Sequence, residues 1–158
     1  MVFNMEYEIV TLKEKIAVGI SARTNNSSPD MGAVIGGLWN RFYNEGIYAS
    51  IPDKANEKAL GIYTDYAGDE KADYTAMAAC EATRQPQENE KYTVHRIPAG
   101  RYAKFIVHGD MVQAVADAWT EIWQMNLPRT FLSDFEEYQD DNMENATIHI
   151  YVGLKETE

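Results

Sequence analysis

With a single cysteine, Cys80, this 158-residue chain can form no internal disulfide, which excludes a bridge-stapled mini-scaffold and points to a reducing, cytoplasmic setting. Metal ligands are equally sparse. His95, His108 and His149 are scattered, and no Cys/His cluster has the spacing of a structural zinc site, so neither a metal nor a cofactor is expected. Long apolar runs are missing too: the longest uncharged apolar stretch, Met31 to Trp39, falls far short of the roughly 20 residues that a membrane crossing needs. The opening MVFNMEYEIV has no basic region ahead of an apolar one, so neither a span nor an export signal is expected. Cations are scarce. Fourteen Lys+Arg stand against 25 Asp+Glu, a net charge of −11, and such a field repels phosphate backbones and anionic lipids, so neither nucleic acid nor a membrane is expected as a direct partner. There is no glycine-rich phosphate loop, no nucleophile elbow around a serine and no cysteine paired with a base, so standard nucleophilic catalysis finds no support and no catalytic residue is expected.

What is present is ample core-forming material: 45% of residues are hydrophobic and 25% charged, which fits one compact domain spanning residues 1–158. Apolar and polar residues alternate in two bursts between Tyr7 and Arg23, predicting two short strands or one bent strand. The period then changes. After a polar loop, Asp30 is placed to cap a helix whose apolar positions Val34, Ile35, Leu38, Trp39, Phe42 and Tyr43 recur at three-and-four spacing until Gly46. Ile47 to Lys58 reads as irregular, and Ala59 to Tyr66 and Tyr74 to Thr83 as a hairpin around Ala67-Gly68-Asp69.

The second half repeats this order. Tyr92 to Ile97 and Arg101 to His108 read as strands about a bend at Pro98-Ala99-Gly100. A helix follows, opened by Asp110 with capping-box spacing to Gln113 and striped by Val112, Val115, Trp119, Ile122 and Trp123. Strands Phe131 to Tyr138 and Thr147 to Leu154 complete the unit. The helical segments from Asp30 and Asp110 align Asp30 with Asp110, Met31 with Met111 and Trp39 with Trp119. The chain therefore reads as an internal repeat, about 5–84 and 90–155. The predicted fold class is α+β: duplicated strand-helix-strand-strand units forming one antiparallel-rich sheet, with two helices on one face and a ligand cleft on the other.

Tyrosines concentrate on the predicted strands, among them Tyr63, Tyr66, Tyr74, Tyr102, Tyr138 and Tyr151. Each offers a flat apolar ring with a polar rim, suited either to strand packing or to binding flat organic molecules. In Asp134-Phe135-Glu136-Glu137-Tyr138 the strand period puts Phe135 and Glu137 on one face, Glu136 and Tyr138 on the other. With Phe135 turned to the helices, Glu136 would face the cleft, where a partly dry, aromatic-walled carboxylate attracts cations. The same burial would raise its pKa and make it a potential proton donor. His149 and Tyr151 share a face on the last strand, and the indoles of Trp39 and Trp123 are placed to reach the cleft from helix ends.

The Ile97-Pro98-Ala99-Gly100-Arg101-Tyr102-Ala103-Lys104-Phe105 segment, the helix with Trp119 and Trp123 leading to Leu127-Pro128, the Phe135-Glu136-Glu137-Tyr138 motif and the last strand Ile148 to Val152 together resemble the GyrI-like effector-binding domain of AraC-type and MerR-type multidrug-responsive activators. The resemblance covers nearly the whole chain and points to the stand-alone members, including those encoded by integron cassettes, so no DNA-reading module is expected ahead of the first sensing strand. It implies ligand contacts at Glu136, Tyr138, His149 and Tyr151, to which the aromatic pattern adds Tyr102, Tyr63, Trp39 and Trp123 as expected contacts. His149 stands where relatives often carry an acidic residue, a departure that would weaken binding of dications. The resemblance implies a stand-alone binder of lipophilic, cationic aromatic compounds acting in drug sensing, sequestration or transcription regulation through a protein partner. Two alternatives stay open: a cleft-glutamate hydrolase of strained cyclopropane toxins, and a topoisomerase-inhibitor-like protein-interaction module.

Overall fold

The computed structural model describes residues 6–68, 71–87, 90–140 and 142–156. In chain order the elements are β1 (Glu8–Leu12), β2 (Lys15–Thr24), α1 (Met31–Asn44), α2 (Ile47–Ser50), β3 (Lys54–Thr64), β4 (Tyr74–Ala82), β5 (Thr93–Ile97), β6 (Gly100–Gly109), α3 (Met111–Gln124), β7 (Ser133–Tyr138) and β8 (Ala146–Leu154). The two alternating bursts are β1 and β2, and both long helices lie where the apolar spacing predicts them. Two segments differ from expectation. The stretch read as irregular contains the short α2 and the start of β3, where the pairing with β4 shifts register between Lys54 and Ala59. Phe131, expected in a strand, has φ 54, and its strand begins only at Ser133. Asp69, part of the predicted turn, lies outside the described residues.

All eight strands join one antiparallel sheet in the order β1-β6-β8-β7-β3-β4-β2-β5. Exchanging β1 with β5, β2 with β6, β3 with β7 and β4 with β8 reverses this order onto itself, so the sheet is two-fold symmetric about the β3–β7 junction. At that junction Gly61 faces Glu136 and Ala59 faces Tyr138. The leading strand of each half crosses to the other half: β1 pairs with β6 and β5 with β2. Local chemistry explains why neither folds back on its own neighbour. Two-residue hairpins need left-handed residues such as Asn-Gly, whereas Lys13-Glu14 and Pro98-Ala99 supply none, so the chain bends instead of reversing.

The strand period then assigns two faces. Toward the helices, α1 packs Leu38 and Phe42 against Val18, Ile20, Ala76 and Cys80, while α3 packs Ala118, Trp119 and Ile122 against Phe105, Ile148 and Ile150. On the opposite face Leu60, Ile62, Met77, Tyr102, Phe135 and Tyr151 form a third buried cluster. Phe135 stacks on Tyr151 at 4.6 Å between ring centroids. His95 on edge strand β5 reaches within 3.4 Å of Ser133 on β7, four places away in the strand order, so the sheet curls around this cluster. The expectation of an open cleft on the face away from the helices is therefore corrected: curling brings that face's apolar side chains together and fills it.

Helix capping separates the two long helices. The Asp110 carboxylate accepts from the backbone N–H of Val112 and Gln113, whereas the Asp30 side chain makes no capping bond. The Gln113 side chain bonds Asp117 instead of closing the box. Asp110→Ala should therefore lower the unfolding free energy by about 1 kcal/mol and Asp30→Ala by distinctly less, as read from urea denaturation midpoints.

Candidate functional site

The apolar stripes of α1 and α3 are wider than the sheet beneath them can cover. Tyr43, Val112 and Trp123 remain 51%, 69% and 37% exposed, and together with Ile35, Trp39 and Trp119 they wall a cavity of about 1510 Å³ between the two helices. Tyr63 of β3 and Tyr138 of β7 form part of its lining from the sheet. This volume exceeds the roughly 300–1,000 Å³ of ordinary small-molecule sites.

Below the rings lies Glu136, 1% exposed. Its Oε2 accepts from the Tyr63 hydroxyl at 2.7 Å and from the Trp119 indole N–H at 2.6 Å, and its Oε1 accepts from the Tyr138 hydroxyl at 2.6 Å. Desolvation pushes the carboxyl pKa up, and the three hydrogen bonds pull part of the way back. Burial, reinforced by the neighbouring carboxylate, holds the Tyr63 and Tyr138 phenols well above their ordinary range, so both stay protonated donors. Gly61 makes room for this arrangement: a Cβ there would stand 2.8 Å from Glu136 Oε1 and 3.4 Å from Trp39 Cζ2.

The two-fold symmetry extends to the aromatic rings. Trp39 of the first half meets Tyr138 of the second edge-on at 5.5 Å and 80°, and Trp119 of the second half meets Tyr63 of the first at 5.5 Å and 83°. A single carboxylate sits where the two pairs converge, with glycine at the facing position across the junction. A second buried acid, Asp134, is 0% exposed two residues earlier in β7. It accepts from Arg129 at 2.7 Å, from the Tyr66 hydroxyl at 2.6 Å and from the Gly153 N–H at 2.8 Å. Among the described residues no group of three His, Cys, Asp or Glu side chains is placed to hold a metal ion, and no helix is long and apolar enough to cross a membrane.

Against known proteins, a family model described as Cass2, integron-associated effector binding protein, matches residues 8–154. The chain belongs to the Cass2 family. Among solved structures it is similar to an integron cassette protein from the mobile metagenome of Vibrio cholerae, at 28% identity over 94% of this chain and 95% of that one, TM-score 0.77. It is also similar to SAV2435 bound to tetraphenylphosphonium, at 25% identity over 96% and 94% of the two chains, TM-score 0.76. EcmrR, in a DNA complex, shares 15% identity over 96% of this chain and 58% of its own, TM-score 0.64, a likeness of fold alone. Comparison with curated proteins finds no match.

In this Cass2 chain, Tyr138, Tyr63, Trp39 and Trp123 line the cavity between the helices, and Glu136 lies behind that lining, bonded to Tyr63 and Tyr138. The other sequence candidates do not. Tyr102, His149 and Tyr151 lie on the far face of the sheet, where Tyr102 donates to the Pro98 carbonyl at 2.6 Å, Tyr151 stacks on Phe135, and His149 Nδ1 stands 3.9 Å from Glu137. Burial and Lys104 shift His149 below its ordinary pKa. The inversion has one cause: Phe135 belongs to the far-side cluster, so its neighbour Glu136 turns to the helices. Sequence reasoning missed the Trp119 donor, the space at Gly61 and the Arg129–Asp134 pair. For Asp134 a signal existed, since Asp134, Glu136 and Tyr138 occupy alternate strand positions and share a face.

Because the folded-state pKa of Glu136 is raised, its contribution to stability is fully present below the ordinary carboxylate range and is lost as pH rises through the raised value. Glu136→Gln should remove that dependence. The unfolding free energy of the variant minus that of the unaltered protein should become more positive with rising pH, and a pH-independent difference would contradict the burial reading.

Proposed function

We propose that this chain binds amphipathic aromatic cations in the cavity between α1 and α3, and that it acts in drug sensing or sequestration or passes the bound state to a protein partner in transcription regulation. The observation that carries the reading is the buried carboxylate of Glu136 beneath an aromatic-walled cavity. A cation resting on those rings keeps its charge near the carboxylate without displacing the three donors. At ~6 Å and an effective dielectric constant of ~20 the attraction is about 3 kcal/mol, and each ring face adds roughly 0.5–2 kcal/mol of cation–π attraction. Organic cations with delocalised charge lose little hydration on entering, whereas compact inorganic cations lose much. The tetraphenylphosphonium bound to SAV2435, a similar structure, is a ligand of this chemical type.

Binding is favoured over hydrolysis by the state of the same carboxylate. Both oxygens of Glu136 already accept hydrogen bonds and the group is 1% exposed, whereas a general base must come within hydrogen-bond reach of the proton it abstracts. The rings and the buried carboxylate support the cation-binding reading over the hydrolytic one.

Trp39, Trp119 and Trp123 line the cavity, so their fluorescence should report occupancy. Tetraphenylphosphonium should quench it saturably, and Glu136→Gln should weaken that cation roughly 10- to 100-fold, about 1.4–2.8 kcal/mol. Neutral triphenylphosphine oxide should be nearly unaffected by the substitution. Equal losses for both compounds would show that the cavity selects shape and not charge.

A further inference from the structure

The aromatic wall of the cavity is built twice. Ring contacts link Trp119, Tyr63, Tyr74 and Tyr66 into one series and Tyr138, Trp39, Tyr43 and Tyr48 into another, and all eight rings line the cavity. Glu136 stands behind the lining between them: its Oε2 accepts from Tyr63 and Trp119 of the first series, its Oε1 from Tyr138 of the second. Matched helix positions supply the two walls, since Trp39 and Tyr43 of α1 correspond to Trp119 and Trp123 of α3 in the aligned helical segments. The size fits a doubled site. At about 1510 Å³ the cavity exceeds the upper end of the range for one small molecule by roughly 500 Å³, which is itself room for a second.

Charge distinguishes the walls. Tyr138 faces Ala59 across the strand junction, and Asp140 and Glu57, each two residues along the chain from this pair, line the cavity at that end. Lys58 Nζ stands 3.9 Å from Glu137 and Lys54 Nζ lies 4.8 Å over the Tyr48 ring, so three acids meet two cations there. Tyr63 faces Asp134 at the other end, where the charged residue of the lining, Arg129, is balanced by Asp134 at 2.7 Å. The α1 wall is therefore acidic and the α3 wall neutral.

We propose that the cavity holds two aromatic ligands at once: the cation on the α1 wall of Trp39, Tyr43 and Tyr138, and an uncharged aromatic compound on the α3 wall of Trp119, Trp123 and Tyr63. The inference rests on the cation-binding reading above and adds a second subsite to it. With a single carboxyl between the walls, a second cation would meet the first without a countercharge of its own, whereas an uncharged ring system is stabilised by apolar burial and by edge and face contacts with the aromatic side chains.

Tetraphenylphosphonium and N-phenyl-1-naphthylamine, an uncharged compound whose fluorescence rises in apolar surroundings, provide the test on the full chain. The naphthylamine should bind saturably, and saturating phosphonium should leave its dissociation constant within about threefold. Trp123→Ala should weaken the naphthylamine more than the phosphonium, and Tyr43→Ala the phosphonium more than the naphthylamine. A second measurement needs no variant: among the indole ¹H–¹⁵N resonances the phosphonium should move Trp39 most and the naphthylamine Trp123 most, and both displacements should persist when the two compounds are present together. A naphthylamine that does not bind, a dissociation constant that rises in proportion to phosphonium concentration, the opposite ranking of the two variants, or a Trp39 resonance that returns to its free position on adding naphthylamine would overturn the proposal. Failure of the cation reading itself would look different, since the phosphonium alone would not bind or Glu136→Gln would leave its affinity unchanged, and the second subsite would fall with it.

Discussion

A carboxylate taken out of water inside an aromatic wall is the constraint around which this molecule is arranged. Dehydrating such a charge costs several kcal/mol, and the cost is offset locally by two phenols and an indole that can donate to it. These donors come from three different elements, β3, β7 and α3. Their convergence requires the junction strands, the second helix and the space left by Gly61 to be in place together. Cation recognition in this reading uses the portion of the dehydration cost that the donors leave uncompensated.

Two-fold symmetry explains how one chain builds such a point. In each half a long helix carries a tryptophan that packs edge-on against a junction-strand tyrosine of the opposite half. Strict symmetry would place two acids face to face, or two glycines. The facing positions instead hold Glu136 and Gly61, so a single carboxyl group lies at the junction of the two halves. The exchanged strands β1 and β5 tie the halves at the sheet's outer edges. Curling of the sheet fills the far face with Phe135, Tyr102 and Tyr151 and leaves the helix side to hold the cavity.

Much of this was legible in the sequence, because helical and strand periods are local properties. The spacing of Leu38 and Phe42, the matching tryptophans and the alternation through Asp134, Glu136 and Tyr138 are patterns over a few residues. Which face of β7 meets the helices is not local: Phe135 and Glu136 alternate equally well either way, and the choice is settled by the curl of an eight-stranded sheet. That single inversion sends Tyr102, His149 and Tyr151 to the far side and brings Trp119 to the carboxylate. Arg129 carried no periodic signal, since it precedes β7 in an irregular segment and meets Asp134 only after Phe131 turns the chain. The exchange of leading strands escaped for the same reason, being a pairing between residues 74–96 positions apart.

If a cation is held by the ionised form of Glu136, binding must lower that group's raised pKa and expel a proton from the fraction of molecules that carry one. Titration calorimetry with tetraphenylphosphonium in buffers of different ionisation enthalpy, repeated from about pH 8 down to about pH 5, measures this directly. The expected result is proton release that grows, with affinity falling, as pH drops toward the carboxyl's pKa, and the loss of both effects in Glu136→Gln. An enthalpy independent of buffer and an affinity constant across that range would contradict the central claim.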